Sequence, residues 1–91
     1  MLSQEVVIRN RSGLHARPAA CFVEEAKRFQ CDLSIDLEGR KGNCKSVISL
    51  LKLGINAGAT VRIEAAGCDE EAALSGLIAV LNRLTANEGE S

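Results

Sequence analysis

The sequence predicts an α+β domain of order β-α-β-β-α-β-α, a four-stranded antiparallel sheet with three helices on one face. Apolar and polar residues alternate with period two in several short segments, whereas two longer segments repeat apolar residues at helical spacing. Glycines, capping residues and a single proline mark the joins between them. Strands that are half apolar and half polar fit an antiparallel sheet covered on one side and wet on the other, a split β-α-β plan.

Each element has a local reason. "QEVVIRN" sets Val6 and Ile8 against Glu5, Val7 and Arg9, a first strand with one buried face. From Ala16 onward, Ala19, Phe22, Val23, Ala26 and Phe29 fall within an arc of roughly 120° at 100° per residue, which predicts an amphipathic helix. "CDLSIDLEG" alternates Leu33, Ile35 and Leu37 with Asp32, Ser34 and Asp36, and "EGRKG" supplies Gly39 and Gly42 as turn glycines before a short return strand. "SVISLLKLG" opens with Ser46 as a good N-cap and stops at Gly54, a helix of about two turns. "TVRIEAAG" alternates again, with Val61, Ile63 and Ala65 on one side. Asp69 then caps a last helix carrying Leu74, Leu77, Ile78, Leu81 and Leu84, and "TANEGES" is expected to fray. One domain over residues 1–85 with a polar tail over 86–91 follows.

Composition narrows the function. Ninety-one residues with 46% hydrophobic and 25% charged content describe one globular domain with an expected radius of gyration of roughly 12 Å. Eleven basic residues balance twelve acidic ones, and two phenylalanines are the only aromatic residues of the Phe, Tyr and Trp set, so neither the charge nor the stacking surface of a nucleic-acid binder is present. No apolar run approaches the ~20 residues of a spanning helix, and "MLSQEVVIRN" lacks the basic start and apolar middle of a signal peptide. No membrane association and a cytoplasmic location are expected. Cys21, Cys31, Cys44 and Cys68 form no C-x-x-C pair, which suits free thiols in a reducing compartment; a zinc site with His15 lacks the necessary knuckle. No metal and no cofactor are expected.

"SGLHARPAA" holds the only histidine, His15, and the only proline, Pro18. The proline is tolerated in a first helical turn, where amides have no intrahelical acceptor, so the imidazole lies at a helix N-terminus. The free amides of Ala16 and Arg17 and the positive end of the helix dipole make an anion site there. The same field disfavours imidazolium, leaving a neutral ring nitrogen as nucleophile. Arg17 can fork two N–H donors onto phosphate oxygens. A lone histidine beside a helix start is otherwise commonly an exposed cap, and the small Gly13, Ala16, Ala19 and Ala20 weigh towards access by a partner.

The short helix carries too much apolar surface for one buried stripe: Val47, Ile48, Leu50, Leu51 and Leu53 cover roughly 220°. Leu50 and Leu53 are assigned to the core, and Ile48 with Leu51 to an exposed patch suited to docking. Ala16, Ala20 and Lys27 share one flank of the first helix. Isolated exposed aliphatic residues are also common without function.

"GLHARPAA", "KSVISLLKLGI" and "AAGCDEEAAL" together resemble the HPr family, the histidine-containing phosphocarriers of the bacterial phosphoenolpyruvate-dependent sugar phosphotransferase system, over about residues 4 to 84. The resemblance implies an open-faced β-sandwich. It also implies that His15 accepts a phosphoryl group on Nδ1 from phospho-enzyme I and passes it to enzyme IIA proteins, with Arg17 balancing the charge. Such a chain is a stoichiometric carrier, not an enzyme, and is expected to be a monomer. Its partner face would comprise Ser12, Ala16, Ala20, Lys27, Val47, Ile48 and Leu51. Ser46, besides capping its helix, would be a regulatory site for an HPr kinase/phosphorylase. Phosphate there would put about −1.5 to −2 charges into the patch and hinder enzyme I, while the phosphorylated form could bind a transcriptional regulator.

Alternatives are a regulatory relay in a nitrogen-type phosphotransferase branch and an adaptor with an inert histidine. Retention of His15 argues against the family's pure regulators that lack it. Four cysteines exceed the family expectation; Cys21 is expected at the surface, and oxidation of Cys44, two residues before Ser46, would bear on docking. Glu24 and Glu25 make the first helix less basic than in some relatives, which bears on recognition by a foreign enzyme I.

Overall fold

A computed structural model describes residues 1–11 and 13–89. The order is β1 (Leu2–Val7), α1 (Ala16–Ala26), β2 (Asp32–Leu37), β3 (Arg40–Asn43), α2 (Val47–Leu53), β4 (Thr60–Ala66) and α3 (Glu70–Gly89). The strands form one antiparallel sheet in the order β1-β4-β2-β3. This is the predicted α+β architecture, and the Cα radius of gyration is 11.8 Å.

Register explains the single core. Ile35 lies opposite Ile63 and Leu33 opposite Ala65, so the apolar residues of β2 and β4 rise on one face of the sheet. They meet Phe22 and Val23 of α1, Leu50 of α2 and Leu77 of α3. Arg62, Glu64 and Asp36 turn to the other, polar face, where Lys41 and Glu64 pair at 3.0 Å. The first strand ends at Val7, earlier than its alternation suggests, although Ile8 extends the pairing by donating to the Ala59 carbonyl and accepting from the Gly58 amide.

Four local readings differ in the structure. Gly39 makes the β2–β3 turn with Glu38, both at positive φ, as a two-residue hairpin loop requires. Gly42, in contrast, lies within β3 opposite Ile35, and a Cβ there would sit 2.8 Å from Leu53 Cδ1; it permits α2 to approach rather than turning the chain. Phe29 lies beyond the end of α1, though still packed against the core. The helix expected to fray at "TANEGES" continues to Gly89.

The fourth difference is Asp69. Its backbone carbonyl accepts from the Ala73 amide, opening α3, but its carboxylate turns away from that helix and accepts from the amides of Gln30 and Cys31 at 2.9 and 3.0 Å. Those amides enter β2 and need acceptors, so Asp69 joins the turn before α3 to the turn before β2. Glu70 instead closes the local loop, its Oε1 accepting from the Gly67 amide.

Candidate functional site

The site is built where the segment after β1 crosses the loop between α2 and β4. Asn10, buried although polar, donates from Nδ2 to the Gly13 carbonyl at 2.6 Å, and the Gly13 amide returns a bond to the Asn10 carbonyl at 3.1 Å. Gly13 has φ +64° and passes so close to the neighbouring loop that a Cβ would run into the Ile55 carbonyl oxygen and lie 2.8 Å from Asn56 Cα. Only glycine satisfies both the left-handed backbone and the contact. The Leu14 amide then donates to the Ile55 carbonyl at 3.0 Å, with both side chains buried. His15 is thus carried on a backbone held from below.

His15 is the N-cap of α1, with extended backbone (φ −122°, ψ 152°), and its side chain makes no capping bond. The His15 side chain therefore leaves the first-turn amides without a capping acceptor. The half-buried ring places Nε2 2.9 Å from Oδ1 of Asn56. Arg17, on the first turn, is exposed and has no hydrogen bond or ion pair among the described residues, so its guanidinium is free to fold onto a phosphoryl group. An imidazole with one nitrogen engaged, a helix start and an uncommitted guanidinium can accept and hold a phosphoryl group without a metal. Among the described residues, no set of three or more His, Cys, Asp or Glu side chains could hold a metal ion.

The second predicted surface is α2. Leu50 and Leu53 are buried, whereas Ile48 is 66% and Leu51 43% exposed, the partition expected from their spacing. Val47 is half-buried and packs against the core, so it supports this ridge rather than forming its crest. Ser46 caps the helix, its Oγ accepting from the Ser49 amide at 3.3 Å, and Gly54 ends it in the left-handed region. Helices α1 and α2 are neighbours. On α1, Ala20 is exposed, and so is Lys27, which caps its C-terminal end. Ala16 begins the helix, and Ser12 lies outside the described residues.

All four cysteines are free, with Cys68 exposed and Cys21 half-buried. Cys44 is wholly buried, and burial pushes its thiol up to about 12. The expected influence of Cys44 oxidation on docking is therefore not carried by the folded molecule, where neither solvent nor thiolate is available. Burial, then the nearby Asp69 carboxylate, raises the Cys31 thiol to about 11.

Two contributors escaped sequence analysis. Asn10 shapes the approach to His15 and Asn56 touches its ring, but both belong to irregular segments without periodic signal. A polar residue within a "NRSG" or "GINAG" loop is the only trace either leaves.

Known proteins share this chain's fold and much of its sequence. Residues 2–83 match the family described as "PTS HPr component phosphorylation site". The HPr-like protein Crh of Halalkalibacterium halodurans is 40% identical over 83 residues, covering 91% of this chain and 99% of that protein. Phosphocarrier protein HPr of Mycoplasma pneumoniae is 41% identical over 80 residues, covering 87% and 91%. A crystal structure of HPr-C-His from Thermoanaerobacter tengcongensis superposes with a TM-score of 0.91 at 35% identity, covering 94% of this chain and 97% of that one. An HPr dimer from the same organism gives 0.73 at 36% identity, with 91% and 95% covered. With the match extending from the first strand into the last helix and including the histidine loop, the chain belongs to the PTS-HPr family.

Proposed function

We propose that this protein is a phosphoryl carrier of a sugar phosphotransferase system: His15 takes a phosphoryl group from phospho-enzyme I and gives it to an enzyme IIA protein. The observation that carries this reading is His15 itself, an N-cap whose side chain leaves the first-turn amides open, beside an exposed and uncommitted Arg17. The amides of Ala16 and Arg17 and the Arg17 guanidinium would receive the phosphoryl oxygens. Ile48 and Leu51, with the Ala20 and Lys27 flank, would form the face that each partner meets in turn. Since His15, Arg17 and the α2 ridge come from one chain, a monomer suffices as the working form. A cytoplasmic location is part of this proposal; separately, no helix among the described residues is long and apolar enough to cross a membrane.

The test is intact mass after incubation with phosphoenolpyruvate and enzyme I, beside His15→Ala. One added phosphoryl group, lost in acid and absent from the variant, is expected; an unmodified native chain with its cognate enzyme I would leave the adaptor reading in place.

A second reading is favoured by the similarity to an HPr-like protein Crh and by the half-buried Ser46 at the start of α2. Phosphate on Ser46, added by an HPr kinase/phosphorylase, would place charge beside Ile48 and convert the carrier into a regulatory partner for a transcriptional regulator. An acid-stable phosphate on Ser46 after incubation with that kinase and ATP is the expected result. Serving a nitrogen-type branch instead would leave the His15 chemistry unchanged and alter only the accepting partner.

A further inference from the structure

We propose that Asn56 is a positioning residue for His15: its side-chain carbonyl accepts the Nε2 proton, keeps the ring in one tautomer and leaves Nδ1 as the nitrogen with the free electron pair. The inference rests on His15 being the phosphoryl acceptor and adds a residue 41 positions away in the chain.

The contact is 2.9 Å between Nε2 and Oδ1. In neutral imidazole one ring nitrogen carries the proton and the other the lone pair, so an acceptor fixed at Nε2 favours Nε2–H and a basic Nδ1. Asn56 is exposed, and its usefulness depends on being held still. Three features hold it. Ile55, the preceding residue, is fully buried and its carbonyl receives the Leu14 amide. The Asn56 carbonyl receives the Ala59 amide at 3.1 Å, closing the turn into β4. Gly13 lies against the Asn56 backbone with no room for a side chain. The two loops carrying the hydrogen-bonded side chains are thus locked to each other by backbone.

The same bond strengthens as the reaction proceeds. When Nδ1 attacks phosphorus, its own lone pair forms the N–P bond, and the bond from phosphorus to the donor protein's leaving atom breaks with its electron pair staying on the donor. No proton leaves the ring. The ring becomes cationic with its proton still on Nε2, and Nε2–H···Oδ1 changes from a neutral to a charge-assisted hydrogen bond. A contact stronger after transfer than before accelerates the step and favours the phosphorylated carrier.

The experiment compares the native chain, Asn56→Ala and Asn56→Asp by nitrogen NMR of the His15 ring and by phosphoryl transfer from phosphoenolpyruvate through enzyme I. With the ring neutral, the native Nδ1 is expected at the shift of a lone-pair nitrogen and Nε2 at that of a protonated one. In Asn56→Ala the two shifts should move towards each other as the second tautomer mixes in, and transfer should slow about three- to tenfold, a charge-assisted bond discounted for an exposed site. Asn56→Asp, which keeps the acceptor, should restore the native shifts.

Identical ring shifts in the native chain and Asn56→Ala would overturn the proposal even if transfer slowed, because Asn56 would then act on the partner. A native ring protonated on Nδ1 would overturn it too. A native chain that is never phosphorylated would sink the carrier reading itself, and with it the proposal, whatever the ring shifts show.

Discussion

At the scale of single residues, the candidate site divides into side chains that are open to a partner and groups that hold the loop presenting them. His15 and Arg17 face outward, while Asn10, Gly13 and Leu14 spend their bonding and packing capacity on the loop that presents them. Arg17 has no structural bond to lose among the described residues, so Arg17→Ala should leave the melting temperature unchanged. Transfer from enzyme I should nevertheless slow about 10- to 100-fold, the span expected for hydrogen bonds to a charged group. Rapid-quench measurement of His15 phosphorylation checks this, and native rates in the variant would remove Arg17 from the mechanism. His15, Arg17 and Pro18 were legible because their chemistry is packed into consecutive residues, where a helix start can be inferred from order alone. Asn56 was not legible for the opposite reason. Its role arises from two loops meeting across 41 positions, and a contact between irregular segments leaves no periodic pattern.

At the scale of elements, α2 shows how seven residues can be both stable and available to a partner. An isolated helix this short is marginal in water. Here Ser46 satisfies an orphan amide at one end, and Arg40 donates from its guanidinium to the Leu53 carbonyl at 3.0 Å at the other. Leu50 and Leu53 anchor the helix, releasing Ile48 and Leu51 from any structural duty. Ile48→Glu is therefore expected to change stability by no more than about 0.5 kcal/mol, whereas Leu50→Ala should cost about 2–5 kcal/mol. Only Ile48→Glu should weaken enzyme I binding while the fold persists. Denaturant melts of both variants, with calorimetric titration of Ile48→Glu against enzyme I, separate the two roles. This partition was visible in the sequence because 100° spacing showed an apolar arc wider than one interface can cover. The position of Gly42 was not visible: a glycine near a turn signal looks the same whether it bends the chain or admits Leu53 of a helix.

At the scale of the whole molecule, the sheet and helices follow from alternation and spacing, but their closure also depends on carboxylates, and the partners of Asp69 and Glu64 are distant in sequence. Asp69 accepts from Gln30 and Cys31, and the Gln30 amide is the foremost cause holding its carboxyl below the ordinary range. Lys41 does the same for Glu64 across the polar face of the sheet, and the Gly67 amide for Glu70. These groups stay ionised in the folded chain at pH values where the unfolded chain has begun to take up protons. Their contribution is therefore complete above the unfolded carboxylate range, about pH 5, and is lost as pH falls through the lower folded values. The melting temperature should accordingly be level near neutrality and decline below about pH 4.5. Asp69→Asn keeps the shape but removes the charge, so at neutral pH it should melt lower than the native chain. That gap should shrink in acid, because protonation has by then weakened the same bonds in the native molecule. Thermal melts from about pH 7 down to about pH 3 read both trends. A gap of constant size would mean that the Asp69 carboxylate joins the two loops by shape alone, and that acid lability must come from Glu64, Glu70 or their neighbours.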